Sequence, residues 1–175
     1  MPLKTNIEGM VWKYPDTFVV GREQVRQYAK AVKSAAPGSV DEAAAAELGH
    51  DALIAPLTYA SIFAVMIQNH FFQHVDVGLE TMQIVQVDQK FHFHRPIKVG
   101  DELTGTMYIL SVVEKFGADI VTTRNVCADL DGTIVMEAYT TLMGHEGDNS
   151  ISVKWDPETG QVVRTAASEN GQAAD

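Results

Sequence analysis

Cysteine is almost missing from this chain, and a surplus of positive charge is missing altogether. The single thiol, Cys127, has no partner for an internal disulfide, which suits a reducing compartment. Thirteen Lys and Arg stand against 23 Asp and Glu, a net charge of −10 that excludes the basic footprint of a nucleic-acid binder. The longest apolar stretch, 52–67, contains Pro56 and ends in Gln68-Asn69-His70, short of the roughly 20 apolar residues that a bilayer crossing needs. Segment 1–15 lacks the apolar core of a secretory leader. A cytoplasmic protein with neither a nucleic-acid nor a membrane partner is expected.

Catalytic signatures are equally scarce. There is no Gly-x-Ser-x-Gly elbow, no Gly-x-Gly-x-x-Gly and no phosphate loop, so a serine hydrolase or nucleotide enzyme has no support. His70 with His74, and His92 with His94, have spacings that a metal could use. Neither pair has a third ligand or a His-Glu-x-x-His frame, and no metal or cofactor is expected.

What is present reads as one domain of 175 residues with an ordinary core, 46% hydrophobic and 21% charged. Phe18-Val19-Val20 predicts a short strand, and 22–33 places Val25, Tyr28, Ala29 and Val32 on one helical stripe. Segment 41–48 predicts a second short helix, with Asp41 as N-cap and Gly49 just past its end. From 56 to 74 the chain is apolar on nearly every side, with Pro56 suited to a first turn. A helix of that kind is expected to be enclosed.

After Gly78 the period falls from 3.6 to 2. Strands are predicted over 83–93, 103–113, 118–129 and 133–143, separated by Gly100-Asp101, Phe116-Gly117 and the hairpin signal Asp131-Gly132. In the first of these, Val85, Val87, Phe91 and Phe93 are assigned to one face and Gln86, Asp88, Lys90 and His92 to the other. The fold class is α+β: an antiparallel sheet of about five strands wrapped around one long helix, the hot-dog arrangement. Residues 1–146 form that domain. Residues 147–175 form a C-terminal extension, a hairpin centred on Asp156-Pro157-Glu158-Thr159-Gly160 that packs through Trp155, then a disordered tail over 166–175.

Several segments agree in order and spacing with one family. They are 9–16 (Gly-Met-Val-Trp-Lys-Tyr-Pro-Asp), 20–24, Ala55-Pro56-Leu57-Thr58, 80–89, 136–144, Lys154-Trp155-Asp156 and 159–162. The chain resembles the HadC-like accessory subunits of mycolic-acid-type (3R)-hydroxyacyl-ACP dehydratases, within the MaoC-like hydratases. The resemblance implies a heterodimer with a HadB-like catalytic subunit. That subunit removes water from a long-chain (3R)-3-hydroxyacyl group carried on acyl carrier protein, giving the trans-2-enoyl product of fatty acid and mycolic acid elongation.

In catalytic members the loop after the first helix carries Asp-x-Asn-Pro-x-His. Here Pro37 remains, while the acid position is Ser34, the Asn position Ala36 and the His position Ser39. Neither serine titrates near neutral pH, and both are expected to be surface loop residues. The Ala-His-Gly-Met that opens the central helix of such enzymes is replaced by Ala55-Pro56-Leu57-Thr58. Proline has no N–H, and leucine adds bulk where a thioester carbonyl must approach. No catalytic residue is therefore assigned.

Thr58, Ser61 and Val65 fall on one helical face, and Ser61, Val65 and Gln86 are the candidate substrate-binding residues, lining an acyl channel; Phe63, Met66, Met82 and Ile84 could serve equally. The alternative function is a non-enzymatic acyl-thioester-binding homodimer. A hot-dog thioesterase would need a carboxylate near the helix start; Glu47 and Asp51 are nearby, but nothing in the sequence promotes them. Acyl carrier protein is acidic, so at −10 this chain is expected to leave carrier docking to its partner.

Overall fold

Val25 and Ala29, one turn apart, are the buried residues of helix α1 (Arg22–Ala31), the stripe that the 3.6 periodicity marks. The computed structural model describes residues 3, 5–77, 82–115, 117–146, 151–156 and 161–166. α1 follows two short strands, β1 (Val11–Lys13) and β2 (Phe18–Val19). It ends two residues earlier than 22–33, because Lys33 takes a left-handed conformation at φ 52°. The Ser34 N–H then closes the helix onto the Ala29 carbonyl at 2.8 Å.

A 3-10 turn (Pro37–Ser39) leads into α2 (Glu42–Glu47), whose N-cap Asp41 accepts from the Ala44 N–H at 2.9 Å. A second 3-10 turn (Leu57–Tyr59) opens the central helix α3 (Ala60–His74). Ala60, Phe63, Ile67 and Phe71 are its buried residues. The other side is not enclosed by this chain: Val65 is 51% and Met66 37% exposed. The all-round apolar pattern therefore overstated what a single copy covers.

The sheet contains β3 (Met82–Phe93), β4 (Glu102–Lys115), β5 (Ala118–Asp129) and β6 (Ile134–Glu146) in the order β1-β4-β5-β6-β3, with β2 also on β4 and every pairing antiparallel. It has six strands rather than about five. The extra one, β1, spans three residues, too few to show an alternation. β4 packs on α3 through Gly105, and Phe18 stacks on Phe63 with ring centroids 4.9 Å apart. β7 (Ile151–Asp156) and β8 (Gln161–Ala166) pair as a separate antiparallel ribbon. The packing of Trp155 and the character of the tail beyond 166 lie outside the described residues.

One face assignment fails. The register of β3 against β6 shifts between Gln86 and Asp88, leaving Val87 as the bulged residue. Ile84 and Gln86 before the bulge, and Gln89 and Phe91 after it, line the helix side of the sheet. Val85 and Val87 face outward, 49% and 52% exposed. No described helix is long and apolar enough to cross a membrane. A sheet packed on one long helix is the hot-dog fold.

Candidate functional site

The segment carrying Ser34 and Ser39 is tied to the start of α3 through the backbone. The Ile54 N–H donates to the Gly38 carbonyl at 3.0 Å, and the Ala55 N–H to the Ile97 carbonyl at 2.8 Å. α1 is anchored on the same turn, because the Tyr28 hydroxyl donates to the Thr58 carbonyl at 2.8 Å and the Tyr59 hydroxyl to Gln24 Oε1 at 3.0 Å. Ser34, Ala36, Ser39, Ala55, Pro56, Leu57 and Thr58 consequently share one open depression. The two motifs, about twenty residues apart in the chain, meet in space.

The lining of the depression is poor in groups that titrate near neutral pH. No carboxylate, imidazole or thiol is among the described residues that line it. The Ser34 hydroxyl accepts from the Ala36 N–H at 3.3 Å, a turn-stabilising role. Ser39 is not the surface residue expected from the sequence: it is 2% exposed. Gly38, beside it, packs on Ala45 and Leu48 of the α2 region, so the 3-10 turn is pressed inward. Leu57, in contrast, is 69% exposed. The Ala55 N–H is already bonded, and Pro56 has none to offer.

The carboxylates weighed for a thioesterase are no better placed. Asp51 is bonded by the Lys98 ammonium at 2.7 Å, which holds its carboxyl below the usual range, and Glu47 is exposed away from the depression. Cys127 is buried, and desolvation pushes its thiol up to about 12, leaving no nucleophilic thiolate near neutrality. The histidines are structural neighbours of aromatic rings and of an ion pair. Trp12 Nε1 donates to His70 Nδ1 at 3.1 Å, the His70 and His74 rings lie 4.2 Å apart, and His94 meets Glu137 at 3.1 Å.

A second feature, a cavity of about 140 Å³, lies between α3 and the sheet. Ser61 and Val65 reach it from the helix and Gln86 from β3, so the three candidate residues converge on one space. Ile84 joins them, whereas Phe63 belongs to the packed core and Thr58 to the depression. The remaining wall is mainly apolar, including Phe71, Phe91, Ile109, Val121 and Leu142. A polar group also lines it that the sequence reading did not single out: Asp119, Thr123, Asn125, Gln89 and Thr140. Alternation along β5 could not reveal it. Asp119, Thr123 and Asn125 share the helix side with Val121 and Cys127, and the opposite face is no more polar. Gln89 is held by the Thr140 hydroxyl, which donates to it at 2.9 Å, and donates in turn to the Tyr139 carbonyl at 3.1 Å.

Comparison with known proteins gives a consistent neighbourhood. A family model described as "FAS1-like, dehydratase domain region" matches residues 7–138. A UPF0336 protein of Mycobacterium tuberculosis is 62% identical over 166 residues, spanning 95% of this chain and all of that one. One chain of the C-terminally truncated HadBC (3R-hydroxyacyl-ACP dehydratase) complex of the same organism is 60% identical with a TM-score of 0.76, covering 81% of this chain and 99% of that one. A MaoC-like dehydratase is 30% identical with a TM-score of 0.74, over 93% of this chain and 52% of the other.

Proposed function

The chain belongs to the FAS1-like dehydratase-region family, and from that premise we propose that it is the accessory subunit of a heterodimeric (3R)-hydroxyacyl-ACP dehydratase. A catalytic hot-dog partner removes water from the (3R)-3-hydroxyacyl thioester to give the trans-2-enoyl product. This chain supplies walls for the acyl chain. The observation that carries the reading is the pairing of its two depressions. The one where proton transfer and carbonyl support would meet has neither a titrating group suited to the task nor a free donor at Pro56. The cavity beside α3 remains open and largely apolar.

The exposed surface supports a partner. β3 ends the sheet, so one side of its backbone is unpaired within it. Val85 and Val87 on that strand, with Met66 on α3, are apolar and exposed. The HadBC complex pairs two such subunits by its name. In the proposed assembly Ser61, Val65 and Gln86 contact the acyl chain, and the acidic carrier protein docks on basic groups of the partner.

The test is hydration of an enoyl thioester by the purified chain, by a candidate catalytic subunit, and by the two together. Activity that requires the catalytic subunit and rises for long chains when this chain is added supports the proposal. Brisk turnover by this chain alone would overturn it. A self-sufficient homodimer that binds acyl thioesters without joining a catalytic subunit would favour a storage or regulatory role instead.

A further inference from the structure

Asp119 lies on β5 at the end of the acyl cavity remote from the start of α3. Leu103, opposite Asp129 at the other end of β5, pairs with Phe18, which packs on Tyr59 and Phe63. Asp119 pairs across the sheet with Gly144 of β6 and Glu114 of β4, four residues beyond Thr123. Its residue exposure is 5%, and it is part of the cavity wall. Among the described residues, its Oδ2 is buried without a hydrogen-bond partner. The other polar groups of the wall differ in this respect: Gln89 is bonded to Thr140 and Tyr139, and Asn125 donates to Thr123 at 3.2 Å.

A buried acceptor left unpaired is unfavourable, and such groups in folded proteins find a donor. We propose that the donor arrives with the ligand: Asp119 accepts a hydrogen bond from an O–H or N–H group on the flexible chain that fills the cavity. The cavity would thereby select a chain carrying a neutral donor over a plain alkyl chain. A side chain of another subunit is a poorer source, since Asp119 is itself 5% exposed and lies on the sheet wall of the cavity, across from α3 of its own chain. The inference rests on the acyl-cavity reading and adds a residue that discriminates among acyl ligands.

Two matched probe pairs test it by calorimetric titration of the full chain. One is a medium-chain fatty alcohol and its methyl ether. The other is an N-alkylacetamide and its N-methyl derivative. Each pair differs in the donor while keeping the alkyl body. The wild-type chain is expected to bind the donor member of at least one pair about tenfold more tightly, the scale of one net hydrogen bond to a buried acceptor. The alcohol pair identifies a hydroxylated chain as the source, and the amide pair an amide-bearing arm. Asp119→Leu should bring the ratio near one while still binding the methylated probes, and Asp119→Asn, which keeps an acceptor oxygen, should retain part of it. Equal binding within both pairs by the wild-type chain, or a preference that survives Asp119→Leu, would overturn this inference and leave the acyl cavity standing. Failure of every probe to bind would overturn both.

Discussion

Gly105 on β4 and Ile67 on α3 pack so closely that a Cβ on the glycine would lie 2.4 Å from Ile67 Cδ1 and 2.8 Å from Phe63 Cζ. This is where the sheet meets the central helix. The Gly105 carbonyl also accepts from the Tyr14 N–H at 2.9 Å, so the backbone has little freedom to retreat. Gly105→Ala is expected to destabilise the fold by roughly 1–3 kcal/mol, the usual cost of overpacking. Urea titration reads the loss. Combining it with Ile67→Val should recover part of it, as neighbouring sites are non-additive. Equal stability of Gly105→Ala and the parent would show that α3 is not seated as described.

Strong periodic segments were legible from sequence where their burial is settled inside this chain. β4, β5 and the Asp131-Gly132 turn, with Gly132 at φ 88°, follow the pattern closely, and α3 does so in its extent though not in its all-round burial. β3 was misread at its start. Its bulge at Val87 reverses the inward face, and the valines that looked like core residues lie on the edge strand. An apolar residue there signals burial without saying by which chain. The residues Ser34, Ser39, Pro56 and Leu57 at the motif positions were legible in the sequence, and the structure adds that they share one depression. Asp119 was illegible, since a single carboxylate in a strand looks the same in sequence whether it faces water or a cavity.

Restoring the dyad should not restore the enzyme. Ser34→Asp with Ser39→His places the right groups in the right motif, but Ser39 is 2% exposed and leaves no room for an imidazole without displacing the turn. Pro56 still offers no N–H at the start of α3. The double variant alone is expected to show no hydration of an enoyl thioester above background, with lower stability than the parent. Measurable turnover would mean that carbonyl support survives at this site.

Lys33 holds a left-handed conformation at φ 52°, a position usually taken by glycine at the end of a helix. The residue fixes the exit of α1 into the loop bearing Ser34. Lys33→Gly is expected to raise stability by up to about 1 kcal/mol by relieving the Cβ crowding. The gain should appear as a higher melting temperature with unchanged acyl binding. A fall in stability would mean that Lys33 makes a contribution that outweighs its strained backbone.

Cys127 gives a pH signature at the alkaline end. Burial raises its pKa from 9.0 to about 12, so the unfolded chain loses the thiol proton first. Between those values the folded state holds more protons, and stability must fall as pH rises. The contribution is full below pH 9 and declines by about 1.4 kcal/mol per pH unit above it. Cys127→Ala removes this component, so the stability difference between parent and variant should narrow or reverse from pH 9 toward pH 11 in urea titrations. A constant difference across that range would mean that the thiol titrates alike in both states.

Filling the cavity tests the division of labour between subunits most directly. Ser61 stands on the helix side of the cavity, and its side chain is small enough that Ser61→Phe would occupy space now open between α3 and β3. If this chain only holds the acyl tail, the variant should still join the catalytic partner and leave turnover of short acyl thioesters within about twofold, because the reacting groups lie elsewhere. Long-chain substrates should lose tenfold or more in kcat/KM, about 1.4 kcal/mol of lost binding. Equal losses for short and long chains would place Ser61 near the chemistry or in the subunit interface. An unchanged long-chain rate would remove the cavity from the substrate's path.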